Sequence, residues 1–520
     1  MKTLQRAVRA AFVPLERAAD RIFGPTHNPL NQLGALGFFF YWIVIATGVH
    51  LYIGFDTSIA GAYGSVEMLS RSAWFLGGVS RSLHRYASDA LVLVMLLHMA
   101  REFGQDRYRG ARWFSWIVGM PILMFVYASG ITGYWLVWDR LAQYIAIATT
   151  EFLDWLPIFG EPIARNFLAP GSVDDRFFSL LIFLHIAIPL ILVFVLWLHL
   201  QRISRPNINP PRAMAAGAGL MLLGLSLVFP AASQPPADLG RVTAVLGLDW
   251  FYLAFYPLID HFSPGPLWGF SSAAFLLVAL LPWLPKRRQP ATAVVSLDHC
   301  NGCARCADDC PFNAITMSPR TDGKPFAQEA VVNPALCVGC GICVGACPPS
   351  TPFRTTPALR TGIDLSTPSL RELRQMTLAA AARGAGAPQR VLLFGCAHGA
   401  AAQRAETAGC AKIILPCIGM LPPSFIDYVL SRDLADGVML TGCDTENCYH
   451  RLGVRWTEQR LAGQRDPHLR ARVPRERLAT CWAGAAEPAR LETALATFNA
   501  RIMALPATPT RVTPIQEKVT

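Results

Sequence analysis

Cysteine is missing from the N-terminal part of this 520-residue chain, since all 14 cysteines lie at or after Cys300. A secreted disulfide framework would not be confined to one half of a chain in Cys-x2-Cys spacings. Metal-binding or redox cysteines in a reducing compartment fit this distribution better. Charged residues are also scarce, at 16%, and the mean hydropathy is +0.34. Both values are unusual for a soluble protein of this length and indicate a membrane protein.

A continuous apolar core is absent from residues 1–30, so no cleaved signal peptide is predicted there. This basic segment is expected to lie as an amphipathic helix on the cytoplasmic membrane surface. The net charge of +11 fits nucleic acid, an acidic partner or anionic lipid, and the apolar composition favours lipid with no nucleic acid. Flavin and nicotinamide fingerprints are absent too, so another subunit should carry the primary dehydrogenase activity.

Six apolar stretches are long enough to cross a bilayer, which takes about 20 residues. They run near 34–54, 83–100, 114–138, 177–200, 213–231 and 265–284. Basic residues follow the second, fourth and sixth stretches, which by the positive-inside rule puts both termini and every cysteine in the cytoplasm. The prediction is a multi-pass protein of a bacterial inner membrane, with an all-α transmembrane bundle of about six spans.

Histidines occur as two pairs, His84 with His98 in the second span and His185 with His199 in the fourth. A gap of 14 residues is about 3.9 helical turns, so both histidines of a span point the same way, about 21 Å apart along the axis. Two such helices facing each other would hold two b haems, each iron taking one histidine from each helix. One membrane histidine could be an ordinary interior residue, but two pairs with the same spacing favour haem ligation.

Glycines with the same spacing lie in the first and third spans: Gly34, Gly48, Gly119 and Gly133. A macrocycle edge needs a helix surface without a side chain, once per haem, although glycine is common in membrane helices in general. Arg81 and Arg101 bracket the second span and could pair with haem propionates. Ordinary interfacial anchoring is the alternative for both arginines.

Residues 28–285 resemble cytochrome b of the bc-type complexes, and we expect a membrane domain over 31–285. The resemblance is carried by "SRSLHRYASDALVLVMLLHMAREF", "WIVGMPILMFVYASGITGYWLVW" and "FLHIAIPLILVFVLWLHL". It implies that His84 and His185 bind the haem nearer the periplasm, and that His98 and His199 bind the haem nearer the cytoplasm.

The segment "LDWFYLAFY" at 248–256 stands where that family has Pro-Glu-Trp-Tyr bordering its outer quinol site. Asp249 replaces the glutamate and Leu248 the proline. By this resemblance Asp249 could accept a proton from quinol, which would make it the catalytic acid–base group and quinone the substrate. A solvated loop acid is the alternative.

Residues 296–352 contain two runs of Cys-x2-Cys-x2-Cys-x3-Cys-Pro. This is the spacing of dicluster ferredoxins, in which the fourth cysteine of each run binds the other cluster. The pattern predicts a small α+β domain with two [4Fe–4S] clusters, one on Cys300, Cys303, Cys306 and Cys347 and the other on Cys337, Cys340, Cys343 and Cys310. Two zinc sites are the alternative, but zinc knuckles do not require this paired pattern.

Short apolar strands alternate with helical patterns over residues 389–506, which predicts a cytoplasmic α/β domain. Residues 355–388 look like a linker with one helix, and 507–520 like a tail. Cys396, Cys417 and Cys443 each follow a strand-like run, and Cys448 lies just beyond. Because the carboxyl ends of strands in such a sheet converge, these four cysteines could share one metal centre.

The stretches "VLLFGCAHGA", "ILPCIG" and "GVMLTGCDTENCYHRLG" resemble the iron–sulfur delta subunit of methyl-viologen-reducing hydrogenases. That family links heterodisulfide-reductase-type flavoproteins to electron donors through a [2Fe–2S] cluster. The resemblance implies such a cluster on the four cysteines named above. One position departs from the family, because the second cysteine of its opening Cys-x2-Cys is Gly399 here. A domain without a cluster is therefore the alternative.

Together these parts predict a multi-domain electron-transfer subunit between a cytoplasmic flavoprotein, dehydrogenase or hydrogenase partner and the quinone pool. The direction stays open, because quinol could equally drive the reduction of a low-potential cytoplasmic acceptor. One rival is a membrane tether for a soluble hydrogenase or heterodisulfide-reductase-like complex. Another is a turnover component of a bc-type complex, which the absence of Rieske and Cys-x2-Cys-His motifs disfavours.

Overall fold

A computed structural model describes residues 2–158, 162–163, 168, 174–241, 245–284, 291–353, 361–384, 389–402, 404 and 410–506. The chain forms two compact units. The first comprises residues 1–201 and 206–287, and the second comprises residues 202–205 and 288–520. The two iron–sulfur segments of the sequence therefore share a single unit. The predicted tail at 507–520 lies outside the described residues.

The first unit is built from α-helices. They are α1 (Lys2–Phe23), α2 (Leu33–Gly54), α3 (Ala62–Arg71), α4 (Val79–Gly104), α5 (Trp113–Leu136), α6 (Arg140–Asp154), α7 (Asp175–Leu200), α8 (Arg212–Val228), α9 (Tyr256–His261) and α10 (Pro264–Leu280). By length and composition, α2, α5, α7 and a segment from α10 to Trp283 can each cross a membrane. The other two predicted spans are α4, which is long but more polar, and α8, which is apolar but has 17 residues.

Helix α4 packs along α2, and α7 packs along α5. Buried apolar residues such as Leu36, Leu91 and Ile131 fill the space between the helices, while α2 and α7 are also apolar on their outer surfaces, as lipid contact requires. Helix α1 lies against α4, where Glu16 forms an ion pair with Arg101 at 2.7 Å. The predicted amphipathic segment is thus part of the bundle's packing.

The second unit contains eight strands and six helices among its described residues. The strands are β1 (Ala293–Val295), β2 (Ile315–Pro319), β3 (Gln328–Val332), β4 (Ile363–Leu365), β5 (Val391–Cys396), β6 (Cys410–Leu415), β7 (Gly437–Gly442) and β8 (Leu478–Trp482). The helices are α11 (Arg305–Asp308), α12 (Ile342–Ala346), α13 (Leu370–Arg383), α14 (Ser424–Ser431), α15 (Gly453–Leu461) and α16 (Pro488–Ala504). Two antiparallel ribbons, β1–β4 and β2–β3, accompany a parallel sheet of order β6-β5-β7-β8.

The parallel sheet is covered on both faces, which explains why β5 and β7 are buried along their whole length. Leu392 and Phe394 point into the core that includes α13 and α14. Val391 and Leu393 point into the core that includes α16. The alternation is that of a strand with two buried faces. Strand β5 ends at Cys396 and β7 ends just before Cys443.

The described part of residues 355–388, interpreted as a linker with one helix, contains that helix at Leu370–Arg383 and also a strand that the sequence did not predict. Strand β4 pairs with β1 in antiparallel register, with Val295 opposite Ile363, and α13 begins at a capping box formed by Ser369 and Glu372. A strand of three residues is too short to show a periodic pattern, so the sequence does not predict that β4 pairs with β1, about 70 residues earlier.

Candidate redox sites

The predicted outer histidines meet between α4 and α7. The ring centres of His84 and His185 are 6.3 Å apart and the rings are inclined by 58°. Two imidazoles on opposite sides of one metal ion have ring centres about 6 Å apart, because each metal–nitrogen bond is about 2.0–2.1 Å long. The gap between these two rings therefore fits one iron.

The four predicted glycines each lie against a different predicted histidine. A Cβ atom added at Gly48 would be 3.0 Å from Cε1 of His84, and one added at Gly133 would be 3.0 Å from Cε1 of His185. The corresponding distances are 3.7 Å from Gly34 to His98 and 3.5 Å from Gly119 to His199. A larger residue at Gly48 or Gly133 would displace an imidazole. Gly48 and Gly133 thus make room for the ligand rings. The assignment of all four glycines to the macrocycle edge stays a prediction.

Hydrogen bonds fix the orientation of His84. Its Nδ1 lies 3.0 Å from the carbonyl of Val44 and 3.1 Å from Oγ1 of Thr47. Since Thr47 donates its own proton to the carbonyl of Ile43 at 2.6 Å, its oxygen can accept from Nδ1–H. This network assigns the proton to Nδ1 and leaves Nε2 free to bind a metal.

His185 is held in the same way by α5. Its Nδ1 lies 3.0 Å from the carbonyl of Ser129 and 3.1 Å from Oγ1 of Thr132. Thr132 donates to the same carbonyl at 2.8 Å. Thr47 and Thr132 were missed in the sequence analysis, although a signal was present, because each immediately precedes one of the predicted glycines.

The inner histidines have different surroundings. The residues that precede Gly34 and Gly119 are Leu33 and Val118, which have no hydroxyl group. No hydroxyl group hydrogen-bonds to Nδ1 of His199 among the described residues; its nearest acceptor is the backbone carbonyl of Ser115, outside strict hydrogen-bond geometry, and Ser115 donates from Oγ to the backbone carbonyl of His199 at 3.1 Å. The two ends of the bundle therefore hold their histidines differently.

Both predicted propionate partners are engaged with protein groups. Arg81 donates to Ser70 at 2.6 Å and to Ser233 at 2.9 Å. Arg101 donates to Glu16 at 2.7 Å and to Asn31 at 2.8 Å. Their assignment to haem propionates stays a prediction.

Asp249 is anchored by four donors. Arg85 and Tyr134 donate to its Oδ2 at 2.9 and 2.7 Å, and the backbone N–H groups of Phe251 and Tyr252 donate to its Oδ1 at 2.9 and 3.1 Å. Its side chain is 12% exposed. Burial alone would raise the pKa of Asp249, but these hydrogen bonds and the charge of Arg85 hold that pKa below its ordinary value. Asp249 is therefore an ionised, oriented acceptor, in contrast to a solvated loop acid.

The first predicted cubane group lines one cavity in the second unit. Its members are Cys300, Cys303, Cys306 and Cys347. Burial, reinforced by the neighbouring thiols, raises the pKa of Cys306 to about 12. Thr361 and the backbone N–H groups of Gly362 and Ile363 are hydrogen-bonded to Cys347. These donors precede or begin β4, and they would stabilise a thiolate.

The second group has the same character. Burial raises the pKa of Cys340 to about 12, and its nearest thiols are Cys310 and Cys337. Cys343 has both of these and Cys306 among its neighbours. Crowded, buried thiols of this kind become thiolates only when metal cations compensate their charge, which iron–sulfur clusters do. The crossed arrangement, with Cys310 beside the second run and Cys347 beside the first, is the predicted one.

The remaining predicted ligands, Cys396, Cys417, Cys443 and Cys448, form what we call the four-cysteine ring. Cys396 and Cys448 each interact with both Cys417 and Cys443, and the Sγ atoms of Cys396 and Cys443 are 3.9 Å apart. Within the described residues, no three His, Cys, Asp or Glu side chains are placed to hold a single metal ion. Hydrogen bonds from Cys417 and Cys443 hold the pKa of Cys396 well below its usual range.

Gly399, where the delta-subunit pattern has a cysteine, has no space for one. A Cβ atom at this position would be 2.7 Å from the carbonyl oxygen of Gly442 and 3.4 Å from that of Ala483. The backbone N–H groups of His398 and Tyr449 point at the sulfurs of Cys396 and Cys443, both at 3.4 Å. The ring thus has four thiols and supporting N–H donors without a cysteine at 399, which fits a [2Fe–2S] cluster.

The four-cysteine ring packs against the segment that carries the second cubane group. Cys340, Ile342, Cys417, Leu452 and Trp456 form one buried cluster. Glycine permits this approach, because a Cβ atom at Gly453 would be 2.1 Å from Sγ of Cys417 and one at Gly345 would be 2.1 Å from the carbonyl oxygen of Gly419.

A buried ion pair closes the same interface. Arg460 donates to Asp309, the residue before Cys310, at 2.5 Å, and the two side chains are 1% and 3% exposed. Arg460 also donates to the carbonyl of Gly419 at 3.0 Å, and Trp456 donates from Nε1 to the carbonyl of Asp309 at 3.2 Å. These bonds connect the segment of this cubane group to α15 and to the segment that follows Cys417.

These features define a membrane electron-transfer subunit. Residues 20–206 match the family model described as cytochrome b/b6/petB, residues 299–351 match a 4Fe-4S dicluster domain, and residues 391–506 match the delta subunit of methyl-viologen-reducing hydrogenase. All three regions occur in this one chain, as the sequence predicts.

Among solved structures, a chain titled "Hyperthermophilic respiratory Complex III" is similar. It is 24% identical, with a TM-score of 0.39, and the match covers 48% of this chain and 74% of that one. The three family matches identify the chain as a multi-pass membrane protein and a redox subunit of an oxidoreductase complex, with haem b and [4Fe–4S] clusters as its cofactors.

Proposed function

We propose that this chain carries electrons between a cytoplasmic flavoprotein, dehydrogenase or hydrogenase partner and quinone. The observation that supports this most strongly is the close packing of the four-cysteine ring and the segment of the second cubane group, with Cys340 and Cys417 in one buried cluster. A protein that only tethers another to the membrane does not require ligand groups packed this closely. Electron transfer requires that arrangement.

Contacts within the second unit support an order for the three cysteine groups, and the proposal adds the partner at one end and the histidine pairs at the other. The ring is the end nearest the partner, the group of Cys337, Cys340, Cys343 and Cys310 comes next, and the group of Cys300 follows, because Cys343 and Cys306 are neighbours. The inner and outer histidine pairs complete the series. On this proposal the chain holds one [2Fe–2S] cluster, two [4Fe–4S] clusters and two b haems, which act as one-electron carriers when bound. Both termini face the cytoplasm of a bacterial cell.

Quinone is assigned to the outer end, beside the 248–256 segment. Asp249 is fixed between Arg85 and Tyr134, and Tyr252 stacks on Tyr127 with ring centres 5.1 Å apart. A positioned carboxylate beside aromatic rings can orient a quinol and receive its proton. Either direction of electron flow is compatible with this geometry.

The test uses reduced methyl viologen as the donor and follows haem absorbance in the purified protein. We expect Cys417→Ser to remove a [2Fe–2S] signal, to lower the non-haem iron from ten atoms to eight, and to slow haem reduction by the viologen. Haem reduction by quinol should be unchanged. Cys410→Ser is the matched control, because Cys410 is buried on β6 outside the ring. Silence of Cys417→Ser in all three measurements would contradict the proposal, and haems that quinol cannot reduce would support a tether.

A further inference from the structure

The outer and inner histidine pairs differ at one position of the supporting helices. Nδ1 of His84 and Nδ1 of His185 each face two acceptors, a carbonyl and a threonine hydroxyl. Leu33 and Val118 occupy the corresponding positions at the inner pair, one residue before the glycines. Each outer histidine therefore faces a threonine hydroxyl, whereas the residue at the same position beside each inner histidine has an alkyl side chain.

We propose that Thr47 and Thr132 lower the reduction potential of the outer haem relative to the inner one. A hydrogen bond accepted from Nδ1–H increases the electron density on Nε2 and makes the imidazole a stronger ligand. A stronger ligand stabilises the ferric state, which carries one more positive charge than the ferrous state, and the reduction potential falls. This inference depends on the proposed haem ligation.

Each threonine can act only as an acceptor toward the imidazole, because its own proton is committed. Thr47 donates to the carbonyl of Ile43 at 2.6 Å, and Thr132 donates to the carbonyl of Ser129 at 2.8 Å. The same helical turn thus supplies the acceptor for the imidazole and fixes the direction of the threonine hydroxyl. The geometry at the two sites agrees to 0.1 Å in both Nδ1 distances, which argues for a shared role.

The test is a redox titration of the purified protein, with the two haems separated by optical and EPR spectra. In Thr47→Val and in Thr132→Val we expect the outer haem's ratio of reduced to oxidised form, at fixed potential, to rise about three- to tenfold. That is a shift of about 30–60 mV, since tenfold corresponds to 59 mV for one electron. The reduction potential of the inner haem should not change. The double variant should show the sum of both shifts in the outer haem, and Thr47→Ser, which keeps the hydroxyl, should retain the wild-type potential.

The reciprocal variant keeps the proposal testable if a valine variant takes up no haem. Val118→Thr leaves the outer site untouched and should lower the potential of the inner haem alone. Potentials that do not move in Thr132→Val, or that move equally for both haems, would overturn the inference. A wild-type protein that binds fewer than two haems per chain would instead overturn the proposed ligation, and haem counting separates these two failures.

Discussion

Gly453→Ala is the sharpest test of how the four-cysteine ring is assembled. A Cβ atom at this position would lie 2.1 Å from Sγ of Cys417 and 3.7 Å from Sγ of Cys448. Non-bonded contacts of this kind are ordinarily about 3.5–4.0 Å, so Cys417 or α15 must move by about 1.5 Å. Metal ligands tolerate about ±0.2 Å. We therefore expect the [2Fe–2S] signal to be lost while both cubane signals remain.

The assay is iron analysis with low-temperature EPR, and the expected content falls from ten non-haem irons to eight. Overpacking of a core typically costs about 1–3 kcal/mol, so the unit should still fold. Gly384→Ala is the matched control, because its nearest neighbour would be 3.6 Å from the new Cβ and it lies at the end of α13. Equal iron content and equal spectra in the two variants would refute this account of the interface.

Two further predictions concern the haem ligands. His98→Ala should remove the inner haem and leave the outer one largely intact, as measured by haem content and reduced-minus-oxidised spectra; loss of neither haem would contradict the ligation. Gly48→Ala should lower outer-haem occupancy, because the new methyl would lie 3.0 Å from His84, whereas Gly34→Ala, with 3.7 Å to His98, should be tolerated. Equal effects of the two glycine variants on haem content would show that the imidazole contact does not matter.

The histidines and cysteines that we assign to haems and clusters could be picked out from the sequence because their spacing determines which side chains share a helix face or a cluster. Residues 14 positions apart lie on the same face of a helix, so the paired histidines and the paired glycines can be recognised from the sequence alone. The ferredoxin runs carry the crossed ligation in their spacing. The structure adds a contact that the pattern did not imply, because one of the paired glycines lies beside each histidine ring.

Other features depend on contacts that no local pattern records. The pairing of β1 with β4 joins short segments far apart in sequence. The buried pair of Asp309 and Arg460 joins residues 151 positions apart, and neither residue stands out from the other charged residues in the sequence. The packing of Gly345 on Gly419 is likewise visible only once two folded segments meet, because glycine by itself does not reveal its neighbour.

The last prediction concerns Asp249 and where quinone reacts. Asp249→Asn keeps the shape of the side chain but removes the charge that faces Arg85 and accepts from Tyr134. A lost acid–base group typically costs about 10²–10⁴ in rate, so we expect quinone-linked turnover to fall by that order. Haem content and haem reduction from the cytoplasmic side should stay normal. Asp260→Asn is the control, because Asp260 accepts from Tyr144 in the neighbouring helix and has no contact with Arg85 among those found in the described residues.

The pH profile gives a second, independent reading of the same site. Because the pKa of Asp249 lies below its ordinary value of 3.8, the carboxylate is ionised at every pH above about 5, and its contribution should be lost only as the pH falls through that low pKa. Turnover should therefore show no acid limb from Asp249 between about pH 5 and pH 8.

The same variants distinguish the two ends of the bundle. If quinone instead reacts at the cytoplasmic end, Asp249→Asn would be silent and His84→Ala would leave turnover intact. A normal rate in both variants with the same donor would move the site inward, whereas a loss in both fixes it at the outer end. Placing quinone there also has an energetic consequence, since each electron that crosses between the haems moves through part of the membrane potential, worth about 2.3 kcal/mol per 100 mV for a full crossing.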